Sequence, residues 1–193
     1  MHTQRQMELI EAAIRLTAKE GIQHLTIRNV ASEIGVTEAA VYRHFPSKQA
    51  LLKAILDHLN TVLAPHLKRL LDSEEAPSKA LSTFITDLFS LIQTNAAFTL
   101  MLFAEETFNV EPQLKGQLKG LLEGNLSYLV QFYTRSMERG DCRNDLSVQQ
   151  LAIVTFGTIR LSVSRWHLQE SSTPLLSEVQ PIQKSLVTLL SLS

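Results

Sequence analysis

Apolar residues recur at three- and four-residue intervals along almost the whole chain, and no stretch alternates apolar with polar long enough to predict a strand. A first helix over 4–20 places Met7, Ile10, Ile14 and Thr17 on one stripe, and Gly21 stands where a left-handed cap would close it. Two short helices follow over 26–34 and 37–44, then a long one from 47 towards 71. The acidic, proline-bearing stretch 72–77 reads as a loop. Further helices are predicted near 79–94, 97–108, 112–139, 147–169 and 178–191, with turns at Asn95, Pro112, Gly140 with Asp141, and 171–174. The pattern predicts an all-α protein.

The stretch 26–45, TIRNVASEIGVTEAAVYRHF, reads as two helices and a turn. Ile27, Val30, Ala31 and Ile34 make the buried stripe of the first. Gly35 supplies the positive φ that ends it, and Val36 fills the corner. Thr37 caps the second helix, whose Val41 and Phe45 face inward one turn apart. Ala39, Tyr42 and Arg43 are left outward, with His44 at the edge. Alanine near the start of a helix, as at Ala39 and Ala40, removes bulk where it must lie against base edges, while Tyr42, Arg43 and His44 offer donors to phosphates. Pattern alone fits a purely structural helical corner equally well. Glu38 runs against DNA by charge; it either accepts from cytosine N4 or complements the helix dipole, and the dipole role is the expected one.

The helix starts add a second observation. A cation in the first turn opposes the helix dipole, yet Arg28 lies two residues after the cap Thr26 and Lys48 directly follows the cap Ser47. An anion at both places reconciles them, since phosphate accepts from backbone amides and side chain together. Pro46 ends the outward-facing helix and redirects the chain.

Composition changes this picture little. The 193 residues carry a net charge of −1, so any nucleic-acid surface is local. Residues 1–53 hold seven cations (Arg5, Arg15, Lys19, Arg28, Arg43, Lys48, Lys53) against five acids (Glu8, Glu11, Glu20, Glu33, Glu38), and the rest of the chain carries the acidic excess. The one cysteine, Cys142, excludes an internal disulfide and a multi-cysteine metal site and fits a reducing compartment. The N-terminus lacks the apolar run of a signal peptide, and no segment reaches the length of a membrane span. A cytoplasmic protein with no membrane partner is expected.

On these residues the chain resembles the TetR/AcrR family of transcriptional regulators. Thr26, Ile27, Val30, Ala31, Gly35, Val36, Thr37, Val41, Tyr42, Phe45, Ser47, Lys48 and Leu51 fall on its N-terminal signature without a gap. Thr37 replaces a commoner serine, and Glu38 stands where many members carry a basic or small residue. The resemblance implies a helix-turn-helix DNA-binding domain over 1–46 and a larger helical ligand-binding and dimerisation domain over 47–193, joined by the helix that starts at 47. It implies a homodimer on a palindromic operator in double-stranded DNA. Thr37, Glu38, Ala39, Ala40, Tyr42, Arg43 and His44 would enter the major groove, with Thr26, Arg28, Tyr42 and Lys48 on phosphates. The same likeness implies a repressor released by a small apolar or amphipathic effector, without cofactor or metal. A DNA-binding protein governed by a protein partner, or acting architecturally, is the alternative.

In the C-terminal part, 147–169 is apolar on two sides: Leu151, Val154, Thr158 and Leu161 on one stripe, Phe156, Ile159, Val163 and Trp166 on another. The helix over 178–191 adds Val179, Ile182, Leu186 and Leu189. Excess apolar surface of this kind belongs either to a helix central in its own core or to a face shared with a second subunit; in a domain of this size sharing is expected, a two-fold four-helix interface of Leu151, Val154, Thr158, Leu161, Val179, Ile182, Leu186 and Leu189. Between 84 and 137 aromatic residues and methionines are dense; at helical spacing these are usually plain core, and they also line apolar ligand pockets, so with the cavity that the resemblance implies Phe84, Met101, Phe103, Tyr128, Phe132 and Trp166 are its candidate walls. Gln131 and Thr158 either orient a ligand or bond to the preceding helical turn. No phosphate-binding glycine loop, HExxH or G-x-S-x-G occurs, and His58 and His66 are too far apart for adjacent-turn chelation, so an enzyme is not expected.

Overall fold

The computed structural model describes residues 2–95, 112–169 and 173–190. Among them the elements are α1 (Gln4–Glu20), a 3₁₀ turn (Ile22–His24), α2 (Ile27–Glu33), α3 (Glu38–Tyr42), α4 (Lys48–Asp72), α5 (Pro77–Thr94), α6 (Pro112–Glu138), α7 (Val148–Leu168), a second 3₁₀ turn (Leu175–Glu178) and α8 (Val179–Leu190). No strand occurs among the described residues, as the periodicity predicts. The helix expected over 97–108 lies outside them.

Side chains fix most helix starts. Thr3 and Gln6 bond reciprocally at the head of α1, and Ser147 and Gln150 do the same at α7. Thr26, Thr37 and Ser47 each accept from the amide three residues on, at 3.1, 3.2 and 3.1 Å. Caps of this kind contribute about 1 kcal/mol each. Two ends differ from expectation. α3 stops at Tyr42 and not at His44, because the His44 and Phe45 amides both turn back to the Val41 carbonyl at 2.9 Å and Pro46 has no amide to carry the helix on. Gly21 adopts φ 88°, ψ 160°, an extended positive-φ conformation and not the left-handed helical one, while its amide still closes on Thr17 at 2.9 Å.

The chain divides into two compact units. One holds the residues up to Thr61 and the start of α6 as far as Lys119; the other holds Val62–Thr94 and the chain from Gly120. The expected boundary at 46/47 marks the end of the helix-turn-helix sequence, whereas the packing boundary falls inside α4. In the N-terminal unit α1 buries Leu9, Ile10, Ala12, Ala13, Ile14 and Leu16 with Leu25, Ile27, Val30, Ala31, Val41, Phe45 and Leu51. A fully buried leucine or phenylalanine contributes roughly 1.5–3 kcal/mol, so the short α2 and α3 are held mainly by this packing.

In the C-terminal unit the core runs through Leu81, Ile85 and Phe89 of α5, Leu129 and Tyr133 of α6, Leu151, Ile159 and Val163 of α7, and Leu186 of α8. The fully buried Tyr133 hydroxyl lies 2.6 Å from Thr155 Oγ1, which itself donates to the Leu151 carbonyl at 3.0 Å. That direction makes Tyr133 the donor and pins α6 to α7. Burial pushes the Tyr133 phenol well above the usual tyrosine range. After α6, Gly140 at φ 75° sits in a closing motif in which the Asp141 amide reaches Ser136 and the Gly140 amide reaches Met137. Arg143 then grips Asp145 through two 2.6 Å bonds and donates to the Leu189 carbonyl at 2.8 Å, so the GDCRNDL turn closes the end of α8. The Arg143 hydrogen bonds hold the Asp145 carboxyl below its usual range. Burial, with Asp141 beside it, raises the Cys142 thiol, the opposite of what a reactive cysteine needs. At the far end of α7 the Trp166 indole N–H donates to the Thr173 carbonyl at 2.7 Å.

Candidate nucleic-acid interface

The turn between α2 and α3 is built by three residues. The Val36 amide reaches the Ala31 carbonyl at 2.9 Å and the Gly35 amide reaches Ser32 at 3.2 Å, with Gly35 at φ 67°. These are the two bonds of a Schellman closure, and they need a residue free to take positive φ. Thr37 follows in extended conformation and caps α3. Val41 is fully buried and Phe45 nearly so, which fixes the roll of α3 and settles which side faces out.

On that outer side Thr37, Glu38, Ala39, Tyr42 and Arg43 are exposed, and Ala40 and His44 are half-buried. Tyr42 is 48% exposed, a large aromatic ring on an otherwise slim edge. Thr26 and Arg28 are exposed at the start of α2, and Lys48 is half-buried at the start of α4. All ten residues predicted for DNA contact therefore lie in the N-terminal unit with some surface open.

Ion pairing separates these cations from their neighbours. Arg5, Arg15, Lys19 and Lys53 each lie within 4.0 Å of a carboxylate: Glu8, Glu11 with Glu33, Glu20 and Asp57 respectively. Among the described residues, no acid lies within that distance of Arg28, Arg43 or Lys48. A cation left unpaired on a protein surface keeps its full attraction for an external anion. His58 is half-buried in the same unit. Burial lowers its pKa, partly offset by Glu11, so it is a core-edge histidine.

In the C-terminal unit the predicted pocket residues take several roles. Phe84 lies on the floor of a half-open cleft of about 450 Å³ between the end of α4 and the start of α5, with Leu70 and Ala80 beneath and His66, Arg69, Asp72 and Asp87 around it. Arg69 and Asp87 are paired across it at 2.8 Å. Phe132 is buried edge-on to Tyr133, with ring centres 5.0 Å apart, and Tyr128 is half-buried. Trp166 is buried and tied to Thr173. Met101 and Phe103 lie outside the described residues. Gln131 and Thr158 bond to the preceding turn of their own helices, at Ser127 and Val154.

Four of the residues predicted for the dimer face are buried within this chain. Leu151, Val179, Ile182 and Leu186 are closed off inside their own protomer, packed in the core of the C-terminal unit. α7 turns Leu151, Ala152, Thr155, Ile159, Val163 and Trp166 inward. Val154 and Leu161 remain exposed, Thr158 is half-exposed beside them, and Leu189 is exposed on α8. Sequence reasoning missed Ile153 and Leu168, which are also large, apolar and exposed on α7. Their signal was present as an apolar count on that helix beyond what one buried stripe requires.

A Schellman-closed turn between two short helices, with a slim outer face and unpaired cations around it, makes this a helix-turn-helix protein of the DNA-binding kind. Residues 9–55 match the bacterial regulatory proteins of the tetR family, and residues 54–189 match the C-terminal region of YsiA-like proteins. The chain belongs to the TetR family of transcriptional regulators. Its fold resembles that of the fatty acid degradation regulator FadR from Bacillus halodurans (TM-score 0.87, 17% identity, 97% of this chain and 96% of that one). It is also like FadR from Bacillus subtilis, solved in complex with stearoyl-CoA (TM-score 0.79, 20% identity, 94% and 97%). Among curated proteins it is 26% identical over 122 residues to the nucleoid occlusion factor SlmA of Photobacterium profundum, a match that covers 63% of this chain and 62% of that protein. No helix among the described residues is long and apolar enough to cross a membrane.

Proposed function

We propose that the protein is a transcriptional repressor that grips a palindromic operator as a homodimer and lets go when an amphipathic, acyl-bearing molecule fills its C-terminal domain. The observation that supports the DNA half is the pairing contrast: of the seven Lys and Arg in the first 53 residues, those with no carboxylate within 4.0 Å among the described residues are Arg28, Arg43 and Lys48, around α3. In this reading Thr37, Ala39 and Ala40 lie against base edges, Tyr42, Arg43 and His44 border the groove, and Thr26, Arg28 and Lys48 hold phosphates on either side. Glu38 serves the start of α3 through its dipole. The exposed apolar side of α7, with Val154, Thr158 and Leu161, and Leu189 on α8 pair with the same face of a second copy.

The effector class draws on the fatty-acid regulators that share the fold, one of them solved with stearoyl-CoA. The Phe- and Leu-rich C-terminal unit is apolar enough to hold an acyl chain. A ligand that favours one tilt of α4 over another shifts DNA affinity by its differential binding to the two states, typically about 1–3 kcal/mol. The second reading, control by a protein partner without a small molecule, is favoured by the likeness to a nucleoid occlusion factor.

Selection of bound fragments from random duplex DNA, followed by titration of stearoyl-CoA into the selected complex, separates the readings. The repressor reading expects a two-fold consensus and release of the DNA by the acyl-CoA. A complex unmoved by stearoyl-CoA, free fatty acid and their shorter homologues overturns the effector half. Failure to enrich any sequence overturns the operator half.

A further inference from the structure

Four polar side chains are buried among the described residues: Thr17, Asn125, Ser136 and Thr155. Three of them carry a hydroxyl, and each donates it to the carbonyl one turn back in its own helix: Thr17 to Ala13 at 2.8 Å, Ser136 to Phe132 at 2.9 Å and Thr155 to Leu151 at 3.0 Å. That bond is open to a serine or threonine within a helix, so these hydroxyls need no outside partner. Asn125 is the exception. It is 5% exposed, and among the described residues nothing hydrogen-bonds its carboxamide.

A carboxamide brings two N–H donors and a carbonyl acceptor, more than its own helix can satisfy. Left unmet in an apolar setting, they make asparagine a worse choice than an apolar residue of the same shape. The setting is apolar: Leu129 and Phe132, one and two turns further on, share the inward stripe of α6 with Asn125 and are buried, and Tyr128 is half-buried. Packing calls for leucine at this position, and asparagine is found. Among the described residues the buried positions of α6 include no charged side chain, so the stripe offers a hydrogen bond but no ion pair. We infer that Asn125 is the polar contact of the effector site: its N–H donates to the acyl carbonyl of the ligand, and the apolar stripe beyond it takes the hydrocarbon. A carbonyl oxygen, common to a fatty acid and to its thioester, accepts that bond without bringing a charge into the core. The contact rests on the effector reading and adds to it the residue by which an acyl compound is told from a plain alkyl one.

Calorimetry on the full chain tests it with stearoyl-CoA, stearic acid and S-octadecyl-CoA, the thioether that keeps the chain and the nucleotide but lacks the carbonyl oxygen. The wild type should bind stearoyl-CoA about tenfold or more tightly than the thioether, the effect expected when a buried donor loses its acceptor. Asn125→Leu should bind the two alike; if that variant does not fold, Asn125→Ala carries the same comparison. Ser136→Ala, whose lost hydroxyl is bonded within its own helix, should keep the wild-type preference. Stearic acid bound in place of stearoyl-CoA, and weakened about tenfold by the Asn125 substitution, makes the free acid the source of the carbonyl. A wild type indifferent to the carbonyl, or a preference that survives loss of Asn125, overturns the contact and leaves the effector reading standing. A chain that binds none of the three compounds overturns the effector reading itself, and the contact with it.

Discussion

Replacing Arg28 and Lys48 together by alanine removes two cations from each protomer, four from a dimer, that make no ion pair among the described residues. Each phosphate neutralised on duplex DNA contributes about 0.9 to the slope of log affinity against log salt, so the slope should fall by roughly 3.6. Carried from about 1 M salt, where this term vanishes, to about 0.15 M, that slope is a loss of about a thousandfold in operator affinity. The folded state should be unaffected, because surface substitutions away from networks stay within about 0.5 kcal/mol. Thermal melting of the variant serves as the control. Arg15→Ala gives the contrast, since Arg15 lies 4.0 Å from both Glu11 and Glu33 and its charge is already engaged. The assay is fluorescence anisotropy on the selected operator from about 0.05 to 0.4 M salt. An unchanged slope in the double variant, or an equal change in Arg15→Ala, refutes the assignment of these cations to phosphates.

Three further outcomes are expected. Gly35→Ala should lower stability by about 1–2 kcal/mol by denaturant titration, since φ 67° strains any residue with a Cβ and nothing around it clashes; an unchanged midpoint contradicts the turn geometry. Thr155→Val should cost about 1–3 kcal/mol because it orphans the buried Tyr133 hydroxyl, whereas Tyr133→Phe should cost nearer 1, with the Thr155 hydroxyl still bonded to Leu151. The folded chain also holds the Tyr133 proton more tightly than the unfolded one, so that contribution is complete below about pH 10 and declines above it; Tyr133→Phe should flatten the alkaline fall in stability seen by chemical denaturation. Leu161→Asp puts a charge on an exposed apolar face and should yield a folded monomer by sedimentation; an unaltered dimer removes α7 from the interface.

The helix-turn-helix was legible because its determinants are local. Thr26, Thr37 and Ser47 announce three helix starts, Gly35 announces the left-handed residue of the turn between α2 and α3, and Val41 and Phe45 fix which side of α3 turns in. What the sequence left open depends on distant partners. α7 is apolar on two sides, and periodicity alone grouped Leu151 with Val154, while the fold turns Leu151 inward together with Thr155. Thr155 reads as polar and surface-bound until its partner Tyr133, 22 positions away, is in place. Aromatic and methionine content cannot separate a pocket wall from plain core, and burial of Phe132 and Trp166 fits both. That Arg28, Arg43 and Lys48 stand unpaired among the described residues while Arg15 does not is likewise a matter of reach in space, invisible in a count of charges. The division inside α4 leaves no mark beyond Pro65, since the helix itself continues through it.

The bond between Trp166 and Thr173 has a practical consequence. This is the chain's lone indole, and its emission depends on whether its N–H meets a carbonyl or bulk water. Unlabelled protein therefore carries an optical gauge at the junction of α7 and the tail, and a shift in its colour on adding any compound marks an event at that one place.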